Sequence, residues 1–267
     1  MDEEAWDRVA AYFDEAILNV PEHDRAGLIR EAIERYGGKG RTAADIGCGV
    51  GRALHLIAPH FDRVFATDIS AECLAIAEKE LARFHNISYL HADLSKDTTI
   101  PEQVDLSVCI NTLLKDSLEQ REEMLRHLCQ SVKPGGHVLL VVPALESALY
   151  VSHRVVRLNR SEGLPPRKAQ RRARREMSDI DLGIVMVDGV PTKHFLNEEL
   201  QDMMKAQGLR TIGISRIEYP WRFVLDEPPQ DMAAPMPWNW MIVAQRTEQA
   251  GVPGSNPATG PSRIPVS

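Results

Sequence analysis

The sequence is poor in the features that would announce several common classes of protein. It has four cysteines in 267 residues, Cys48, Cys73, Cys109 and Cys129, widely spaced and with no CxxC pair. That excludes a disulfide scaffold and a zinc ribbon; three of the four fall in apolar stretches and read as buried free thiols. No metal site is suggested. No run approaches the roughly 18 consecutive apolar residues of a spanning helix. Met1 to Asp7 is acidic and not basic-then-apolar, so neither a membrane fold nor a secretion signal is expected, and the cytoplasm is the expected compartment. A GxxxxGK[ST] phosphate loop is absent as well.

What is present is ordinary for a globular chain: 43% hydrophobic and 26% charged residues, enough apolar material for a substantial core. The length suits one large domain with an insertion. The net charge of -7 is unevenly spread, because Arg154 to Arg175 holds nine basic residues against the single acid Glu162, which leaves the remainder at -15. A general nucleic-acid-binding surface is therefore not expected, although the run could recruit an anion or an acidic partner. Lys168 to Arg175 is also helix-compatible and reads first as a solvated helical face.

Along the chain, Trp6, Val9, Ala10, Phe13, Ile17 and Leu18 recur at spacings of mostly three and four, predicting a helix from about Glu3 to Asn19 that ends before Pro21. A second helix runs from about Ala26 to Tyr36. Strand and helix then alternate: Thr42 to Ile46, a glycine loop, a helix from about Arg52 to Ala58, a strand from Arg63 to Thr67 and a helix from Ala71 to Phe84. The strands Ile87 to His91 and Asp105 to Ile110 follow, then the helix Leu118 to Ser131, a Lys133-Pro134-Gly135-Gly136 turn and the apolar strand His137 to Val142. From about Ala144 to Lys193 the pattern breaks into an insertion with a helix from Glu146 to Leu158, the basic run and a mixed stretch, Ile180 to Val190. Asn197 reads as the N-cap of a helix from Glu198 to Gln207, and Arg210 to Ile217 and Trp240 to Arg246 as two more strands. The expectation is an α/β fold with a doubly wound, mostly parallel sheet of seven strands and an α-rich insertion after the fifth. Its domain spans 1–246, with an N-terminal helical cap over 1–38, an insertion over about 144–193, and a Gly/Pro/Ser-rich disordered tail over 247–267.

The glycines of the first strand-turn-helix fall at 47, 49 and 51, one residue tighter than the dinucleotide pattern GxGxxG. Asp45, at the strand end, disfavours a pyrophosphate and suits a cation. Asp45, Asp68 and Asp93 lie about one strand-helix unit apart, which puts them on one edge of the sheet, where open α/β folds bind ligands. Here the chain resembles the class I S-adenosylmethionine-dependent methyltransferases, over roughly residues 40–246. Ala44-Asp45-Ile46-Gly47-Cys48-Gly49-Val50-Gly51 is similar to the family's first motif, Phe65 to Ser70 to the second, His91-Ala92-Asp93-Leu94 to the third, and Lys133 to His137 to the turn before the fifth strand. The resemblance implies S-adenosylmethionine as cofactor. It also implies that the backbone of Gly47, Cys48, Gly49 and Gly51 lies along the cofactor, Asp68 on the ribose hydroxyls, Asp93 at the adenine amino group, Ile69 and Leu94 flanking the adenine, and Asn111 facing the methionine portion. Ile110-Asn111-Thr112-Leu113 departs from the Asn-Pro-Pro-Tyr type tetrapeptide of the members that methylate DNA bases.

Methyl transfer asks the protein for alignment, a dry pocket and, for some acceptors, a base. Candidates above the carboxyl edge are Tyr12, Phe13, Tyr150, His153, His194, Trp221, Trp238 and Trp240, with His153 and Tyr12 as catalytic candidates. The first reading for His153 is an exposed position on a covering helix, and for the tryptophans packing. The expectation is methylation of a small-molecule acceptor, with no membrane and no nucleic acid as partner. The alternatives are an RNA or protein methyltransferase docking through the basic run at 154–175, and a protein that binds the cofactor without chemistry.

Overall fold

The computed structural model describes residues 3–13, 17–96, 100–176 (backbone alone for 174–176), 182–225, 227–229, 232 and 234–248. Residues 180 and 181 of the expected mixed stretch and 249–267 of the expected tail lie outside these.

The N-terminal part holds α1 (Glu3–Ala10), a short α2 (Val20–His23) and α3 (Leu28–Tyr36). The continuous helix expected to Asn19 is not formed. α1 ends in a turn over Ala11 and Tyr12, where Tyr12 N bonds Val9 O, an i to i−3 contact, and Phe13 is helical again, its carbonyl accepting from Ile17 N at 3.0 Å. Pro21, expected to follow a helix, instead sits in the first turn of α2, where a missing N–H costs nothing, and Asn19 caps that helix through Glu22 N at 3.3 Å.

The alternating region follows as β1 (Gly38–Ile46), α4 (Leu54–Ile57), β2 (Phe61–Asp68), α5 (Ala71–Glu80), β3 (Ile87–His91), β4 (Val104–Ile110), α6 (Leu118–Gln130) and β5 (Val132–Pro143). Ser70 and Ser117 cap α5 and α6, accepting from Cys73 N and Gln120 N at 3.1 and 3.3 Å. The insertion consists of α7 (Leu145–Ser161), α8 (Pro166–Glu176) and a hairpin of β6 (Ile184–Val187) and β7 (Val190–Lys193); α9 (Asn197–Ala206), β8 (Leu209–Glu218) and β9 (Trp238–Arg246) complete the chain. Asn197 is the first residue of α9 and not its cap: Glu199 turns back to accept from Leu196 N, while Glu146 accepts from Asn197 N.

The seven-stranded sheet runs in the order β3-β2-β1-β4-β5-β9-β8, with β9 antiparallel to both neighbours and the pairs from β3 to β5 parallel. Each face has its own core. Leu125 and Leu128 of α6 with Leu200 and Met204 of α9 cover one, and Ile29 and Ile33 of α3 with Leu54 and Ile57 of α4 cover the other. This is the doubly wound arrangement, and it brings the carboxyl ends of β1, β2 and β4 to one edge. All four cysteines are buried and unpaired, and burial pushes Cys109 and Cys129 up to about 12, so they are inert thiols. Among the described residues, no helix is long and apolar enough to cross a membrane, and no group of His, Cys, Asp and Glu could hold a metal ion.

Candidate active site

At the end of β1 the chain turns through Gly47, Gly49 and Gly51, with φ of 74°, 54° and 84°. Only glycine enters this left-handed region freely. Gly47 N and Cys48 N both donate to Thr67 O of β2, at 2.7 and 2.9 Å, so the turn folds over the neighbouring strand. A Cβ on Gly47 would overlap the side chain of Thr112, and one on Gly49 would lie 2.8 Å from the ring of Phe13. Gly51 has a different reason to be glycine. It lies outside the cavity lining, and its Cβ would press on Leu81 and Ala77, so it lets α5 approach the loop.

Three acids border the cavity above this loop. Asp45 is 2% exposed, and its Oδ2 has no hydrogen-bond partner. Burial, reinforced by the negative charge of Asp68, pushes its carboxyl from the ordinary 3.8 up to about 7. Asp68 accepts Gly49 N through Oδ2 at 2.8 Å and Ser70 N through Oδ1 at 2.9 Å, which fixes the loop against β2; burial raises its carboxyl too, against those bonds. Asp93, two residues beyond β3, takes Ser95 N and Oγ on Oδ1 and Lys96 on Oδ2. Partial burial would raise its carboxyl, but these partners outweigh it and hold it below the ordinary value.

The roof comes from the N-terminus. Trp6, Phe13, Ile17 and Leu18 line the cavity from above, with Ile69 and Leu94 at its side and Arg52, Lys115 and Met124 at its border. Arg52 holds this roof down, donating to Ile17 O at 2.7 Å and Phe13 O at 3.0 Å while its guanidinium lies 4.8 Å over the Phe13 ring. Asp7 accepts from Ser70 Oγ at 2.5 Å, and Glu3 meets His91 at 3.0 Å. The role of Arg52 is not legible in the sequence, since its partners are backbone carbonyls 35 and 39 residues away. The recurrence of Trp6, Phe13 and Ile17 at near-helical spacing is the only signal for the roof.

The remaining candidates separate. Asn111 lines the cavity with φ of 51°, strained for a residue with a side chain, and its Oδ1 accepts from Asn239 Nδ2 at 3.3 Å. Tyr12 is half-exposed on the turn after α1 and outside the lining, and His153 is exposed on α7. His194 is largely buried, which lowers its pKa, and its Nδ1 lies 3.0 Å from Thr192 O. Tyr150, Trp221, Trp238 and Trp240 gather into one aromatic group beside β9.

A family model described as "Methyltransferase domain" matches residues 43–136, the stretch holding β1 to the start of β5. The chain is 29% identical over 108 residues to a protein of Saccharomyces cerevisiae named "Probable S-adenosylmethionine-dependent methyltransferase CRG1", covering 39% of this chain and 37% of that one. It is 30% identical over 117 residues to the "Cypemycin N-terminal methyltransferase" of a Streptomyces species, covering 43% and 47%. The matched parts thus span less than half of either relative. In fold, the chain is similar to the structure titled "DhpI-SAH complex structure", with a TM-score of 0.58, 17% identity and coverage of 92% and 95%. It is similar also to the magnesium protoporphyrin IX methyltransferase of Synechocystis PCC 6803 with bound SAM, with a TM-score of 0.52, 14% identity and coverage of 85% and 79%. With its glycine loop, strand-end acids and strand order, the chain has the fold of the class I S-adenosylmethionine-dependent methyltransferases and matches the methyltransferase domain over residues 43–136.

Proposed function

We propose that this chain transfers a methyl group from S-adenosylmethionine to a small-molecule acceptor. The observation that carries the reading is the mostly apolar cavity between the glycine loop and the N-terminal roof, floored by a buried carboxyl oxygen with no partner. An unsatisfied buried carboxyl is unfavourable, and a cationic ligand head fits it. The chemistry of the donors fits the cofactor elsewhere too: Asp68 keeps lone pairs free beyond its two backbone bonds, and Ile69 and Leu94 offer flat apolar contact.

When bound, S-adenosylmethionine supplies a methyl carbon already activated by a positive sulfonium. The chain's own residues do the remainder. Asp45 presents negative charge toward the cationic end of the cavity, while Gly47 and Gly49 give the close backbone approach that a Cβ would block. Asp68 would hold the ribose side and Asp93 the adenine side, and Asn111, bonded to Asn239, would face the methionine portion. Arg52 keeps the roof on the cavity and so keeps water out.

Two of the proteins named above are titled a "Cypemycin N-terminal methyltransferase" and a magnesium protoporphyrin IX methyltransferase, and this chain's pocket is read as admitting a compound of limited size. The test is incubation with methyl-labelled cofactor and a metabolite extract, then with bulk RNA and a whole-protein extract. Label in a low-mass compound is the expected result. Label only in RNA or protein would overturn the small-molecule reading, and no calorimetric binding of S-adenosylmethionine would overturn the whole of it.

A further inference from the structure

Beside the end of β5, α7, the 221–223 turn and the first residues of β9 bring aromatic rings together. The Tyr150 centroid lies 6.0 Å from that of Trp221 and 6.0 Å from that of Trp238. Both indoles are buried at 4% exposure, and neither Nε1–H has an acceptor. Their neighbour Trp240 makes the contrast, donating through Nε1 to Glu146 at 2.9 Å. Buried donors are nearly always satisfied. Two unsatisfied indoles against one tyrosine ring point to an acceptor atom that arrives from outside the chain.

Two guanidiniums complete the group. Arg154 lies 5.2 Å over Trp221 and donates to Tyr150 Oη at 2.8 Å, and Arg216 lies 4.2 Å over Trp238. The unfilled capacity of the cluster is thus in donors, two of them cationic, so a ligand seated there has to supply acceptor oxygens and negative charge. The flat rings suit an aromatic body. Met232 and Met236, packed against the Trp221 cluster, are flexible thioethers able to yield volume to such a body. The cluster is separate from the cofactor cavity: none of Tyr150, Trp221, Trp238, Arg154 and Arg216 lines that cavity, and Asn239, which donates to Asn111, faces the side of β9 opposite Trp238 and Trp240.

We propose that this cluster is a second binding site, for an aromatic carboxylate held by the indole N–H groups of Trp221 and Trp238 and by Arg154 and Arg216.

The test uses 1-naphthoate and its neutral isostere 1-naphthamide on the full, isotope-labelled chain saturated with S-adenosylhomocysteine. The indole N–H signals of the four tryptophans are assigned by single Trp→Phe variants. The expected result is that the Trp221 and Trp238 signals move downfield and saturate with naphthoate, with naphthamide weaker by roughly tenfold or more, the loss of one charge-assisted contact. Arg216→Gln and Arg154→Gln each weaken naphthoate by a similar factor and leave S-adenosylhomocysteine affinity, read by calorimetry, unchanged; Arg216 is exposed, so its variant tests the site even if the other fails to fold. Both signals unmoved at millimolar naphthoate, or moved equally by naphthamide, would overturn the proposal in a chain that still binds S-adenosylhomocysteine. Indole shifts with naphthoate in a chain that does not bind S-adenosylhomocysteine would sink the methyl-transfer reading and leave the anion site standing.

Discussion

The guanidinium of Arg52 donates to the carbonyl of Ile17 at 2.7 Å, across 35 residues of chain, and so fastens the N-terminal roof to the first turn after the glycine loop. A second bond to Phe13 O and the stacking on its ring make this the firmest of the roof's attachments. Hydrogen bonds from a charged donor are worth about 1.5–3 kcal/mol each. Arg52→Ala is expected to weaken S-adenosylhomocysteine binding by roughly tenfold or more and to open residues 10–20 to limited proteolysis. Arg52→Lys, which lacks the fork, recovers only part of both. A calorimetric affinity unchanged in Arg52→Ala would mean that the roof contributes nothing to holding the cofactor.

Gly47 faces a double obstacle to substitution. Its φ of 74° strains any side chain, by about 1–2 kcal/mol. A Cβ there would also overlap Thr112, and overpacking of this kind costs about 1–3 kcal/mol. Gly47→Ala is therefore expected to lower stability by about 2–5 kcal/mol. Because the second part belongs to a contact, pairing it with Thr112→Ser, which removes the crowding methyl, should recover part of the loss. Strict additivity of the two changes in denaturant unfolding would show that the Thr112 methyl is not the obstacle.

How much of this was readable in the sequence differs from residue to residue. Asp45, Asp68 and Asp93 were legible because a strand-helix unit has a regular length and returns each strand end to the same edge. Gly51 was placed with the other two glycines because they share a pattern, yet its packing reason depends on Leu81, thirty residues on. The end of α1 was misread because Trp6, Phe13 and Ile17 keep a near-helical spacing across the break, and the turn at Ala11 and Tyr12 that interrupts it has no glycine or proline to mark it. The two unsatisfied indoles had no sequence signature at all, since whether a tryptophan N–H finds a partner is settled by tertiary contacts.

The basic face of α8 is a solvated surface in the small-molecule reading. Ala169 and Ala173 are buried beneath it and α7 packs there, while Arg167, Lys168 and Arg171 are exposed. Arg172 pairs with Glu162 at 3.0 Å, an exposed ion pair of little energetic weight. Replacing Arg167, Lys168 and Arg171 by Gln is expected to change stability by less than about 0.5 kcal/mol and to leave cofactor affinity as it was. Bulk RNA should bind weakly, with a shallow dependence on salt. A slope of about −0.7 per neutralised phosphate summed over several contacts, lost in the triple variant, would instead identify α8 as an RNA-docking face.

Asp45 makes the apo protein and its complex respond oppositely to pH. The groups that face it are Asp68 on β2, Cys48 in the loop and Cys109 on β4, none of them cationic, and its carboxyl is held near 7 by burial first and Asp68 second. The unfolded chain releases this proton near the ordinary 3.8, so between about pH 4 and 7 the folded protein holds a proton that the unfolded one has lost. The stabilising contribution of the protonated form is full below that window and is lost as pH rises through it, by about 1.4 kcal/mol per unit and roughly 4 kcal/mol in all. A cationic ligand reverses the preference, because only the carboxylate repays it, so the affinity for S-adenosylmethionine should rise toward pH 7 by up to about tenfold per unit. Denaturant unfolding of the apo chain and calorimetry with S-adenosylmethionine, both at pH 5 to 8, measure the two trends. Asp45→Asn should flatten both. Parallel pH curves for the native chain and Asp45→Asn would show that the orphaned carboxyl on the cavity floor does not titrate in this range.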